Sequence, residues 1–379
     1  MDFELPSRGI VFWPVGCGDA TTVVVDENTV IQVDLNHLEA ADDDDDPRIS
    51  VIDELVQHLP EAEGGPYLSV FSLTHMDADH CRGFEELLDR TTIGEIWAGA
   101  PSLEADDSLC DDAKAMHDEL LRRLAAARSG SYVAGDRLRI IGPDDDLTAY
   151  SDLPGDMLNR PGDEITEIDE ADRSSQLRVH LLAPMHATIG TDRNDRGLAM
   201  QVNLSSEQGV AAKVVLLGDR SYDGVAAVFD ESEPEDVAWN VFLAPHHCSR
   251  SVFYSAPDPD SDPVFRQDIV DSIEGAASSP GFVVASSSAI PSSNSPGDNP
   301  PHAEARELYE ELAPDGFFCT GEHPDEAHPE PIVFEFDSEG IVLRGMSSTN
   351  ASDRQAVTEA VVAARGANQP PKETVGFGE

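Results

Sequence analysis

The sequence predicts a layered α/β protein whose chemistry gathers at strand ends, and three observations carry that reading. Short apolar, β-branched runs recur through both halves of the 379 residues, with helical stretches between them. One run, Leu68 to Leu73, leads straight into His75, Asp77, Asp79 and His80. Asp34, Asp219 and the pair His246-His247 likewise stand just past apolar runs.

The elements follow in order. Residues 9–15, 21–25 and 29–33 read as strands, with Gly16-Cys-Gly-Asp19 as a tight connection and Asp26-Glu-Asn28 as a turn. Five consecutive Asp residues make 40–47 a solvated loop. Ile52, Leu55, Val56 and Leu59 share one helical face, and Pro60 ends that helix. After the strand at 68–73, a helix begins near Cys81, then come a short strand at 93–98 and an amphipathic helix from Asp111 to Arg128, closed by Gly130. Two strand pieces occupy 132–141. Residues 142–174 are acidic and rich in Pro and Gly, and read as an insertion loop. Strands follow at 176–182, 198–204, 212–217, 241–244 and 281–285, with helices at 223–229 and 302–312. A hairpin at 331–336 and 340–344 closes a domain spanning 1–345; residues 346–379 read as a helix over 352–365 and a disordered tail.

Composition bounds the setting. The hydrophobic share of 40% suffices for a globular core, and no apolar run approaches the roughly 20 residues that span a bilayer. With no basic start or apolar signal core at Met1 to Pro6, a cytoplasmic protein with no membrane partner is expected. Seventy-four acidic residues against 24 basic ones give a formal charge of −50. Such self-repulsion destabilises a fold in dilute salt, whereas at molar salt the Debye length falls to about 3 Å. Abundant Asp and scarce Lys (Lys114, Lys213, Lys372) therefore point to a salt-in halophile of archaeal type, and the acidity speaks of habitat rather than of a basic partner. Five dispersed Cys residues fit a reducing compartment, as small buried fillers.

A lone Asp between strand and helix reads as a helix cap. Four ligand-type residues within six positions point instead to a metal, since imidazole nitrogen and carboxylate oxygen suit zinc, manganese or iron. Asp219 is suited to bridge two ions. Of His246 and His247, one reads as a ligand and the other as a substrate or leaving-group contact. Asp34 reads as a group that orients a ligating imidazole from behind. No G-x-G-x-x-G opens a helix, so a dinucleotide fold lacks its fingerprint.

The run His75-Met-Asp77-Ala-Asp79-His80 resembles the HxHxDH signature of the metallo-β-lactamase superfamily, with Asp77 replacing the middle His. HxDxDH is found in the branch containing the hydrolase domain of the DNA-uptake protein ComEC and in phosphorylcholine esterase. Val15-Gly-Cys-Gly-Asp-Ala20 resembles the VGQGDA start of the ComEC-like branch, and Val214-Val-Leu-Leu-Gly-Asp219 its LLTGD strand. Ala244-Pro-His-His-Cys-Ser249 resembles PHHGS, and Asn299-Pro-Pro-His302 the late N/HP segment. The matches run in family order across residues 9–345.

The resemblance implies an αββα sandwich holding two divalent ions, Zn²⁺ or Mn²⁺. His75 and Asp77 would hold one ion, Asp79, His80 and His247 the other, and Asp219 would bridge. His246 would contact the substrate beside the catalytic Asp79. His186 is the nearest counterpart of the family's third-strand His, and His302 is a candidate on the substrate side. The implied activity is hydrolysis of a phosphodiester, either single-stranded DNA or a nucleotide. The alternatives are a thioester or lactone hydrolase on the same fold, and a non-catalytic module of a DNA-processing or defence system.

Overall fold

A computed structural model describes residues 3–345, apart from 44–45, 47, 63, 105, 107, 131–132, 134, 185–192, 207–208, 210, 257–260 and 296. The expected helix at 352–365 and the tail lie outside the described residues, as does His186.

Among the described residues, fourteen strands of four or more residues carry the fold. In the first half these are β1 Gly9–Phe12, β2 Thr21–Asp26, β3 Thr29–Val33, β4 Gly65–Leu73, β5 Thr92–Gly99 and β6 Arg137–Ile141. The second half adds β7 Leu177–Ala183, β8 Ala199–Ser205, β9 Ala211–Leu216, β10 Trp239–Leu243, β11 Ala277–Ala285 and β12 Gly316–Cys319. The hairpin β13 Ile332–Asp337 and β14 Gly340–Leu343 returns to the first sheet. That sheet runs β14-β13-β1-β2-β3-β4-β5-β6, and the second runs β7-β8-β9-β10-β11-β12. Pairing is parallel from β3 to β6 and from β9 to β12.

Both sheets are covered on both faces, which is why their strands read as continuous apolar runs rather than alternating ones. Along β10 and β11, Val241, Leu243, Phe282 and Val284 enter the core between the sheets, where they meet Ile10, Phe12, Ile31 and Val33. Phe242, Val283 and Ala285 face the other way, against Val225 and Val228 of α5 Tyr222–Glu231, Ile269 and Ile273 of α6 Gln267–Gly275, and Tyr309 of α7 Ala303–Leu312. On the far side of the first sheet, Leu68, Phe71 and Ile96 pack on α1 Val51–His58, α3 Phe84–Arg90 and α4 Asp111–Ser129. The short α2 Ala78–Cys81 lies between β4 and α3. The layers are helix, sheet, sheet, helix: an αββα sandwich.

The ligand-dense segment departs from the expected single helix. Arg82 is extended (ψ 128°) and breaks it, and Gly83 takes φ 89° at a place where a Cβ would stand 2.6 Å from the His37 Cβ. The stretch 142–174, read as a loop, carries short elements. Leu158–Asn159 extends the first sheet and Glu164–Ile165 the second. The expected strand pieces at 132–141 reduce, among the described residues, to β6. Helix α6 and strand β12 were not anticipated. Cys81, Cys248 and Cys319 are buried as expected of fillers, while Cys17 and Cys110 are half-buried.

One polar contact pins α4 to the first sheet. Arg123 is buried, and its guanidinium donates to Glu119 (2.7 Å) and to the carbonyls of Ile93 (2.9 Å), Gly94 (3.1 Å) and Arg137 (2.8 Å). Among the described residues no helix is long and apolar enough to cross a membrane.

Candidate metal centre

The parallel strands deliver their carboxyl ends to one edge of the sandwich. Asp34 follows β3, Thr74 to His80 follow β4, Asp219 follows β9, His246 and His247 follow β10, and Ser286 follows β11. Each turn is shaped to do this. Gly218 takes φ 61° above Thr74, which lets Asp219 leave the strand at once. Asp34, His246, His247 and Cys248 are non-glycine residues with φ between 52° and 66°. Left-handed backbone at such residues is costly and persists only where the surroundings fix it. Here Asp34 N donates to Ser72 O (2.9 Å), His246 N to Gly218 O (3.2 Å) and His302 N to Cys248 O (3.0 Å).

Asp79, His80, Asp219 and His247 form one cluster. His80 Nε2 lies 3.2 Å from Asp219 Oδ1, and His247 Nε2 lies 3.2 Å from Asp219 Oδ2 and 3.3 Å from Asp79 Oδ2. Yet among the described residues the buried His80 Nε2, His247 Nε2 and Asp219 Oδ1 find no hydrogen-bond partner. Close approach without hydrogen-bond geometry is what atoms sharing a cation show: at bond lengths of about 2.0–2.2 Å, neighbouring ligands stand roughly 3–3.5 Å apart. Among the described residues His75 Nε2 is likewise buried without a partner, 3.8 Å from Asp77 Oδ2 and 4.0 Å from Asp219 Oδ2. His75 and Asp77 thus face the same carboxylate across a wider gap.

The imidazoles are oriented from behind. Thr74 Oγ1 donates its one proton to Asp34 Oδ2 (2.6 Å), so His75 Nδ1, 3.0 Å away, must donate to Thr74. His80 Nδ1 donates to Asp34 Oδ2 (2.8 Å), and His247 Nδ1 to Ser286 O (3.1 Å). All three rings therefore turn Nε2 inward, the arrangement metal-binding histidines show. Asp34 receives the Thr74 N–H as well (2.7 Å). Replacing Asp34 with alanine is expected to weaken metal binding about 10- to 100-fold, read by titration with Zn²⁺ or Mn²⁺.

The electrostatics agree with the donor set. Burial alone would keep His80 and His247 neutral, but Asp219, with Asp34 and Asp19 behind, holds both well above the ordinary imidazole range. Burial pushes the Asp79 carboxyl up, yet His247 and His80 outweigh it and hold the group at about 2. The same two rings hold Asp219 well below the carboxylate range despite its burial. His75 is driven well below its ordinary value by burial and by His80, and burial raises Asp77. Without an ion the cluster balances its carboxylates with protons on the rings. Those are the protons a bound cation displaces.

His246 Nε2 is 3.9 Å from Asp219 Oδ2, on a side chain 30% exposed, at the open side of the cluster. His302 stands outside it: Nδ1 accepts from Arg250 N (3.3 Å) and Nε2 donates to the Asp298 carbonyl (3.1 Å), so both ring nitrogens serve the backbone. Sequence reasoning gave no role to Asp19, which is buried 3.6 Å from His247 Nδ1 and 4.0 Å from His80 Nδ1. Its N–H donates to Asp79 O (3.1 Å), an approach open only because Gly18 has no Cβ, which would sit 2.7 Å from that oxygen. The signal for Asp19 was its place in Val15-Gly-Cys-Gly-Asp-Ala20, read as a tight connection and as a VGQGDA-like start but given no site role.

No family model matches the chain, and no curated protein matches it. Among solved structures it is similar to YhfI, a metallo-β-lactamase fold protein from Bacillus subtilis, at 13% identity over 82% of this chain and 96% of that one, with a TM-score of 0.37. A diphosphatase from the PhnP family is 10% identical over 86% and 87%, with a TM-score of 0.37. An archaeal metallo-β-lactamase superfamily protein, ST1585 from Sulfolobus tokodaii, is 15% identical over 56% and 64%, with a TM-score of 0.27. Similarity at this level says nothing of activity; the four layers and the cluster stand on the geometry above.

Proposed function

We propose that this protein is a metal-dependent hydrolase acting on phosphodiesters. The observation that carries the reading is the convergence of three inward, unpartnered Nε2 atoms on the Asp219 carboxylate. Asp79, His80, Asp219 and His247 would hold one divalent ion, and His75, Asp77 and Asp219 the other. When bound, such a pair activates water at neutral pH and stabilises charge developing on the substrate. Three carboxylates in the set favour hard ions, so Mn²⁺ stands beside Zn²⁺.

The residues of the chain have separate tasks. Asp34, Thr74 and Ser286 O fix the imidazole tautomers, and Asp19 backs His247. His246, exposed beside Asp219, is placed to meet the substrate or its leaving group. The ComEC-like sequence features support phosphodiesters, with a nucleotide or single-stranded DNA as the substrate. The charge of −50 supports activity in strong salt, because phosphates are repelled in dilute salt. In molar KCl with Mn²⁺ or Zn²⁺, the wild type is expected to hydrolyse bis(p-nitrophenyl) phosphate, and Asp79→Ala to lose that activity. Turnover of p-nitrophenyl acetate with none of the phosphodiester would instead select the ester-hydrolase alternative.

A further inference from the structure

Arg220 follows Asp219 directly and is buried, 1% exposed. Among the described residues its guanidinium donates only to main-chain oxygens: Nη1 to Leu217 O (2.8 Å), and Nη2 to Gly197 O and Asp195 O (3.3 Å). Arg123, the other buried arginine among the described residues, has the Glu119 carboxylate at 2.7 Å. Arg220 has no such partner there; the charge of Asp195 reaches it only from beyond ion-pair distance. Taking a guanidinium out of water without a paired anion is costly, and an uncharged amide would serve carbonyls at lower cost. What the guanidinium adds is a rigid fork whose two ends reach different segments.

One end of the fork holds the turn that presents Asp219. The other holds the 195–197 segment, which leads into β8 of the second sheet. That segment is fastened to the first sheet in turn. Leu198 N donates to Thr74 O (2.7 Å), and a Cβ on Gly197 would stand 3.0 Å from Thr74 O and 3.5 Å from the His75 Cβ. Behind the arm, Gly224 of α5 leaves the room it needs, since a Cβ there would stand 3.0 Å from Arg220 Cγ. A continuous strut thus runs from Asp219 through Arg220, Gly197 and Leu198 to Thr74 and His75. Its two ends carry Asp219 Oδ2 and His75 Nε2, which stand 4.0 Å apart. Asp79 and His247 are braced by other contacts: Asp19 N to Asp79 O (3.1 Å), Ser286 Oγ to Gly18 O (2.6 Å) and His247 Nδ1 to Ser286 O (3.1 Å). None of these involves the oxygens that Arg220 holds.

Resting on the two-ion reading, we propose that Arg220 is a positioning residue that sets the gap between Asp219 and His75 and so governs loading of the His75-Asp77 subsite. It touches neither ion nor substrate. Without the fork, the Asp219 turn and the Thr74-His75 turn lose the link between them, and the subsite with the wider gap is the one that fails. The Asp79, His80 and His247 subsite keeps its own braces.

The test is Mn²⁺ binding to the metal-free full chain in molar KCl, by equilibrium dialysis with the metal counted by mass spectrometry. Electron paramagnetic resonance tells a coupled pair of ions from a single one, and circular dichroism checks each fold. The wild type is expected to take two ions and show the coupled signal. Arg220→Met is expected to weaken the looser ion about 10- to 100-fold, as loss of a supporting contact does, to lose the coupled signal and to leave the tighter ion unchanged. Arg220→Lys, which keeps the charge but not the fork, should fall between. Gly197→Ala keeps Arg220 but wedges the far end of the strut off Thr74, and should weaken the same ion less; these two variants carry the test if Arg220→Met does not fold. Arg123→Ala, a loss of stability elsewhere, should leave both ions in place. Equal weakening of both ions, weakening of neither, or the same selective loss in Arg123→Ala overturns the proposal while the parent reading stands. A wild type that takes only one ion overturns the two-ion reading and this inference with it. Selective loss of one ion in a protein that does not hydrolyse bis(p-nitrophenyl) phosphate supports the strut and sinks only the phosphodiesterase reading.

Discussion

Asp219→Ala is expected to abolish metal-dependent turnover while leaving the sandwich folded. Among the described residues it is the one carboxylate within 4.0 Å of His75, His80, His246 and His247 together. Removing it takes the shared oxygen from both proposed ion sites and leaves three inward rings without their common counter-charge. The ions' contribution to the transition state is several kcal/mol, so the loss corresponds to about 1,000-fold or more in rate. Metal content measured by mass spectrometry should fall with it. Full activity and full metal content in the variant would remove Asp219 from the mechanism. Asp219→Asn separates charge from shape: it keeps an oxygen at the same place and should recover part of the metal without the full rate.

The largest expected effect on stability lies far from that edge. Arg123→Ala would strip the buried Glu119 of a partner and leave the carbonyls of Ile93, Gly94 and Arg137 without a donor. Breaking a buried pair by removing one partner costs about 3–5 kcal/mol. Denaturant unfolding should show that loss without a change in metal affinity. Burial pushes Glu119 up, but Arg122 and Arg123 outweigh it and hold the carboxyl below its ordinary value. A lowered folded-state pKa contributes stability that is present above the unfolded value, about 4.3, and is lost as pH falls through the folded one. Wild type should therefore lose this contribution in acid, and the Arg123→Ala protein should lose less over the same window. An unchanged unfolding midpoint would show that Glu119 and the carbonyls find other partners.

The layered fold was legible because strands covered on both faces are apolar over most of their length, as Val214 to Leu216, Val241 to Leu243 and Phe282 to Ala285 are. The candidate ligands were legible because each follows such a run directly: His75 to His80 after Leu73, Asp219 after Leu217-Gly218, His247 after Leu243-Ala-Pro245. The same rule hid Asp19, which precedes a strand rather than following one. It also hid Thr74, whose hydroxyl sets the His75 tautomer through a contact no spacing foretells. Helix α6 carries Ile269 and Ile273 on one turn but sits in a polar stretch that masks the period. Strand β12 is four residues long and starts at a glycine, Gly316. His302 looked like a substrate residue because it is a histidine at a helix start. Only the structure shows both nitrogens spent on the 248–250 turn and on Asp298.

The proposed ligands come from both sheets, and this has a consequence for how the protein is made. During synthesis His75, Asp77, Asp79 and His80 leave the ribosome well over a hundred residues before Asp219 and His247 follow. Domains fold largely as units as they emerge. Until the second sheet docks, the early cluster would face solvent without the carboxylate proposed to bridge the ions, open to whichever ion is most abundant or binds most tightly. On the proposed ligand set, selection of the ion would be deferred to the last act of folding, when the two sheets close and the cage takes its final shape.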